Sequence, residues 1–156
     1  MNGNYVSYQS PIGLLYIWEE NACISAIQFA YILPEKPKAK EQETPLLKEA
    51  IRQLSDYFTG KRQTFDLPLA PKGTAFQQKA WNALLTIPYG KTATYKQMAE
   101  TINCPKGFRA VGLANNRNPI PIIIPCHRVI GTNGKLVGYA GGLEAKKFLL
   151  QIEENN

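Results

Sequence analysis

The stretch Asn118–Val129 reads N-P-I-P-I-I-I-P-C-H-R-V, and it limits the fold more than any other part of the chain. Prolines stand at 119, 121 and 125. Each fixes φ and removes a backbone donor, which rules out a helix interior and sits badly in a central strand. Ile122, Ile123 and Ile124, β-branched and bounded by proline, predict a short, fully buried extended segment. Rigid backbone then delivers Cys126, His127 and Arg128 to one place, and His127 is the chain's single histidine.

A chain of 156 residues suits one ordinary domain or two small ones in contact. No apolar run approaches the roughly eighteen residues needed to span a membrane, and the first residues carry no secretory pattern. A cytoplasmic location is the expectation. Cys23, Cys104 and Cys126 are odd in number and widely spaced, so neither a disulfide framework nor a zinc site is expected. Charge is uneven. Residues 1–69 hold seven Lys/Arg against eight Asp/Glu, a net −1; residues 70–156 hold eleven against four, a net +7. A polyanion met by the C-terminal half is one reading, and a merely soluble basic surface is the other.

Residues 4–9, 13–18 and 22–29, separated by turn signals at 10–13 and 19–21, predict a β-meander. The charged, proline-rich residues 33–45 predict an exposed loop. Thr44 and Pro45 open a helix that Gly60 stops. Pro68 and Pro71 mark a boundary, giving domains 1–68 and 69–156. Helices are predicted at 74–86, burying Phe76, Ala80, Trp81, Leu84 and Leu85, and at about 94–103 and 106–116. The last two, joined by Asn103-Cys104-Pro105, describe a helix-turn-helix. In the second of them Phe108, Val111 and Asn115 are expected to face inward. Gly107, Ala110, Gly112 and Ala114 keep it smooth, and Arg109 projects from it. A final helix at 143–154 is expected to bury Leu143, Phe148, Leu149 and Ile152.

A cysteine is a nucleophile as its thiolate, and a neighbouring base makes it one. Adjacent residues of an extended segment point to opposite sides, so His127 would reach Cys126 through a bend or a bridging water. A carboxylate should orient the imidazole, and the last helix offers Glu144, Glu153 and Glu154. The residues alone leave open a nucleophilic cysteine, as in a cysteine hydrolase with a Cys-His-Glu relay, and a DNA-binding module whose Cys126 is plain core.

P-C-H-R-V at 125–129, with N-P-I-P-I-I-I before it and G-x-x-G-x-L-x-G-Y-A-G-G at 131–142 after it, resembles the O6-alkylguanine-DNA alkyltransferase family of the stand-alone bacterial type. R-A-V-G at 109–112 and A-T-Y-K-Q-M-A at 93–99 match as well. The resemblance covers most of 74–153, with 1–68 alike only in layout. It implies an α+β chain: a small N-terminal meander-plus-helix domain of ribonuclease-H-like layout, packed on a mainly helical domain with a helix-turn-helix. It implies single-turnover repair of O6-alkylguanine, and of O4-alkylthymine, in double-stranded DNA bound through the minor groove, by a cofactor-free monomer. Cys126 would take the alkyl group from a flipped base. His127, oriented by Glu153, would take the thiol proton through water, and Tyr95 would donate to the leaving guanine. Arg109 would fill the gap left by the base, with Ala110 and Gly112 beside it in the groove. Asn118 would brace the turn and Arg128 would be structural. Pro121, Tyr139 and Ala140 would line the substrate pocket. Ala140 lacks the hydroxyl some relatives carry, and Phe108 is bulky where several are small.

Overall fold

The computed structural model describes residues 3–156. The chain divides into two compact units, one ending at Pro71 and the other spanning Lys72–Asn156.

In the first unit three strands, β1 (Asn4–Ser10), β2 (Gly13–Glu20) and β3 (Cys23–Phe29), form the antiparallel meander that the turn signals predict. Helix α1 (Pro45–Phe58) starts where Thr44 accepts from the Leu47 amide, with Pro45 in the first turn, and packs on all three strands. Leu15, Ile17, Leu47 and Leu54 are completely buried. Two local expectations change. The 33–45 segment is not all loop, because β4 (Lys40–Glu41) pairs parallel with β1 and covers that edge of the sheet. Residues 68–70 pair with the opposite edge: Ile24 donates to Pro68 O and Ala70 donates to Ile24 O. The proline-marked boundary therefore falls after Pro71, since the chain completes its last ladder bonds before leaving the sheet.

The second unit is built on α2 (Ala75–Leu84), α3 (Tyr95–Thr101), α4 (Phe108–Asn116) and α5 (Leu143–Asn155). Thr74 and Thr94 each close a capping box, with Gln77 and Gln97, so two donors at each helix start are satisfied. The helix-turn-helix is α3–α4. Its turn depends on Asn103 at φ 58°, the Cys104 amide donating to Ala99 O, and Gly107. A Cβ at Gly107 would lie 2.5 Å from Cys104 Sγ, so any side chain there would have to displace that thiol. Trp81 donates to Ala114 O at 2.9 Å and ties α2 to α4. Strands β5 (Ala93–Thr94) and β6 (Val129–Ile130) pair in parallel, a link too short to read from sequence.

Burial departs from the predicted faces at four side chains. Leu85, Phe108, Leu143 and Phe148 are exposed, Phe108 to 47 %. The face that α5 buries is Ala145, Lys146, Leu149 and Glu153, a helical stripe that contains two charged residues. Those charges find partners inside, and this leaves Leu143 and Phe148 on the outer side.

Candidate active site

Apart from half-buried Pro119, residues 118–125 are buried as predicted but are not extended. They form successive turns: Ile124 donates to Ile120 O and Cys126 to Ile124 O. The proline pattern excludes an α-helix, yet it leaves enough donors for tight turns. Ile122 takes φ 75°, a left-handed conformation that a β-branched residue adopts at a cost of about 1–3 kcal/mol. Side chains hold it there. Asn118 donates from Nδ2 to Ile124 O at 2.8 Å and accepts at Oδ1 from the Ile120 amide at 3.0 Å. Asn115 donates to Cys126 O at 3.2 Å.

Cys126, His127 and Arg128 themselves make one 3-10 turn. With three residues per turn, neighbouring side chains point about 120° apart instead of to opposite sides. His127 and Arg128 consequently reach the same carboxylate. His127 Nε2 lies 2.7 Å from Glu153 Oε2. Arg128 donates to Glu153 Oε1 at 2.8 Å and Oε2 at 3.1 Å, and to Ile87 O at 2.7 Å. Its guanidinium also lies over the Tyr89 ring. Of the three carboxylates considered in the last helix, Glu153 is the one that meets His127; Glu144 and Glu154 are exposed.

The protonation pattern follows. A carboxylate held by a forked Arg only accepts, so His127 Nε2 carries the hydrogen. The lone pair is then at Nδ1, which is buried and has no hydrogen-bond partner among the described residues. Burial lowers the His127 pKa, against the upward pull of Glu153, and keeps the ring neutral and able to take a proton. Burial pushes the Cys126 thiol up to about 11, with Asn118 and then Lys146 pulling it back. The resting pair is a neutral thiol and a neutral imidazole, so a thiolate must be made during reaction.

The depressed His127 pKa also sets a stability trend. Between that value and the ordinary one, about 6.5, the unfolded chain holds the extra proton, so stability is full above about pH 6.5 and is lost as pH falls through the folded value. Urea midpoints should fall from about pH 7.5 to about pH 5.5, and His127→Gln should flatten that slope. Equal slopes in the two proteins would contradict the burial argument.

The other expected site residues divide into two groups. Tyr95 is half-buried, donates to Val137 O at 2.9 Å, and has its pKa raised by burial and then by Cys126. Pro121 is buried in the turn; Tyr139 is half-buried and Ala140 exposed in the following loop. Arg109 and Ala110 are exposed on α4, and Gly112 lies against the Tyr95 ring, where a Cβ would make ordinary contact at 3.7 Å. Among the described residues no hydrogen bond or ion pair links Arg109 to the Cys126 cluster. Sequence reasoning gave Lys146 no role. It is fully buried and donates to Val129 O, Val137 O and Gly138 O. Among the described residues no His/Cys/Asp/Glu group is arranged to hold a metal.

Family models described as the 6-O-methylguanine DNA methyltransferase ribonuclease-like domain and DNA binding domain match residues 4–71 and 75–155. The chain belongs to this family. A methylated-DNA–protein-cysteine methyltransferase of Methanosarcina barkeri is 65 % identical over 97 % of this chain and 98 % of its own. The constitutive enzyme of Bacillus subtilis is 47 % identical over 96 % and 94 %. A crystal structure of Mycobacterium tuberculosis OGT in complex with DNA superposes with a TM-score of 0.90 at 42 % identity, over 97 % of this chain and 93 % of that one. The α+β class read from the sequence therefore stands. Among the described residues no helix of this family member is long and apolar enough to cross a membrane.

Proposed function

We propose that this chain repairs DNA by transferring an alkyl group from O6 of guanine to its own Cys126, once per molecule. The observation that carries the reading is the buried Cys126-His127 turn, whose imidazole is neutral, fixed through Nε2 by Glu153, and open at Nδ1.

The chemistry follows from those protonation states. The lesion base leaves the duplex and enters beside Cys126. His127 takes the thiol proton through a water, and sulfur attacks the alkyl carbon from the side opposite O6. A carbon–sulfur bond forms and the carbon–oxygen bond breaks. The electron pair stays on the guanine, which Tyr95 stabilises by turning its hydroxyl from Val137 O to the base. A thioether is a poor leaving group, so nothing returns Cys126 to the thiol.

Duplex DNA is the partner that fits the +7 charge of residues 70–156. In this reading α4 lies in the minor groove. Exposed Phe108 and Leu113 are apolar side chains suited to press on sugars and base edges, and Arg109 occupies the space of the flipped base. Arg109→Ala should slow alkyl transfer from duplex DNA by about tenfold or more, from a loss on the order of 1–3 kcal/mol of stacking and phosphate contact. Its rate with the free base O6-benzylguanine should be unchanged. Equal losses with both substrates would remove Arg109 from the base-replacing role. The function itself is tested by mixing the protein with duplex DNA labelled in an O6-methyl group. Label should pass to protein up to one equivalent and stop. Continued turnover, or no transfer, would overturn the reading.

A further inference from the structure

Lys146 lies on the buried face of α5, and its ammonium is completely shielded from solvent. It donates to three backbone carbonyls: Val129 O at 2.6 Å, Val137 O at 3.0 Å and Gly138 O at 3.3 Å. Three acceptors use all its hydrogens, and among the described residues none is a carboxylate. A buried cation without a counter-anion is costly, and an apolar side chain of similar length would avoid the cost.

The acceptors are not arbitrary. Val129 is the first residue after the 3-10 turn that holds Cys126. Val137 and Gly138 belong to the loop that continues into Tyr139 and Ala140. Val137 O also accepts from the Tyr95 hydroxyl at 2.9 Å. One ammonium thus ties the substrate-side loop to the backbone beside the acceptor cysteine and to the group paired with Tyr95. The ionisable groups around the thiol are His127 and Arg128 on its own turn, Glu153 and Lys146 on α5, and Tyr95 on α3. Arg128 is spent on Glu153, and His127 is neutral at rest. Lys146 is the remaining cation.

We propose that Lys146 is a positioning residue of the transfer site: it latches the 136–141 loop to β6 and supplies the positive charge that the Cys126 thiolate meets when it forms. The counter-anion that Lys146 lacks at rest is made by the reaction, so the interaction strengthens toward the transition state and lowers the barrier. Burial pushes the ammonium down to about 8, with Cys126 pulling it back up, so it is still largely charged near neutral pH. The pull is mutual, since Lys146 acts to lower the Cys126 thiol.

This rests on Cys126 being the acceptor, but its test does not need DNA. In a Cys23→Ser, Cys104→Ser background, Lys146→Arg, Lys146→Gln and Lys146→Met are compared. The readouts are the pH profile of Cys126 alkylation by iodoacetamide and the hydrogen exchange of residues 136–141. Lys146→Gln and Lys146→Met should move the thiol midpoint up by about one pH unit, about a tenfold slower reaction near pH 7. Lys146→Arg should restore most of the rate. Loop exchange should quicken most in Lys146→Met, which keeps no donor. If Lys146→Met does not fold, the Gln and Arg variants carry the comparison. An unchanged thiol profile in Lys146→Gln would overturn the proposal while leaving alkyl transfer standing. A wild-type protein that takes no label from DNA would sink the reading of function, and with it the place of Lys146 in a transfer site, whatever the profile of Lys146→Gln.

Discussion

Cys126→Ala should remove alkyl transfer to below detection and leave duplex binding in place, because no other cysteine among the described residues has the same setting. Cys23 lies in β3 and Cys104 in the turn of the helix-turn-helix, both half-buried, and neither has an imidazole beside it. His127 is the one histidine, and it follows Cys126 directly in the 3-10 turn. Label transfer and a salt-dependent band shift measure the two properties separately. Removing one buried sulfur leaves a small void, about 1 kcal/mol by the usual cost of a lost core atom, so the fold survives. Residual stoichiometric transfer to Cys104 or Cys23 would show that the buried relay is not what selects the acceptor.

Glu153→Gln has the largest expected effect on stability. The carboxylate, 1 % exposed, answers two buried groups at once, Arg128 and His127. Replacing it strands the guanidinium in a dry interior, and breaking a buried pair from one side costs about 3–5 kcal/mol. The amide also offers His127 Nε2 a donor or a weaker acceptor, so the tautomer with its lone pair at Nδ1 is no longer enforced. The variant should unfold at markedly lower urea concentration and transfer label slowly even where it is folded. Pairing it with Arg128→Met should recover part of the stability but none of the rate, since only the stranded charge is removed. Recovery of both, or a Glu153→Gln protein as stable as the parent, would mean the ion pair is not what holds α5 to the 3-10 turn.

The contrast between these two residues shows what the sequence makes legible. Cys126, His127 and Arg128 are adjacent, framed by prolines, and visible in one run. Glu153 is twenty-six residues from His127. Spacing alone does not separate it from Glu144 or Glu154, and the family resemblance was needed to single it out. Lys146 was lost for a related reason. A helix stripe of Ala145, Lys146, Leu149 and Glu153 reads as half polar, and charged residues are assigned to the surface unless a buried partner is known. The partners here are backbone carbonyls, which carry no sequence signature. The strands of the meander and the helix starts at Thr44, Thr74 and Thr94 were readable because turn residues and caps act locally. The turned path of 118–125 was not, because proline says which donors are missing and not where the remaining ones go. The left-handed Ile122 depends on Asn118, four residues back, a tertiary cause that propensity does not see.

The buried thiol of Cys126 is the proposed alkyl acceptor. That role is tested most directly by digesting the protein after incubation with duplex DNA containing O6-methylguanine and weighing the peptide that carries Cys126. This peptide should gain one methylene, and peptides carrying Cys23 and Cys104 should keep their mass. An unmodified Cys126 peptide from folded, DNA-bound protein would contradict it.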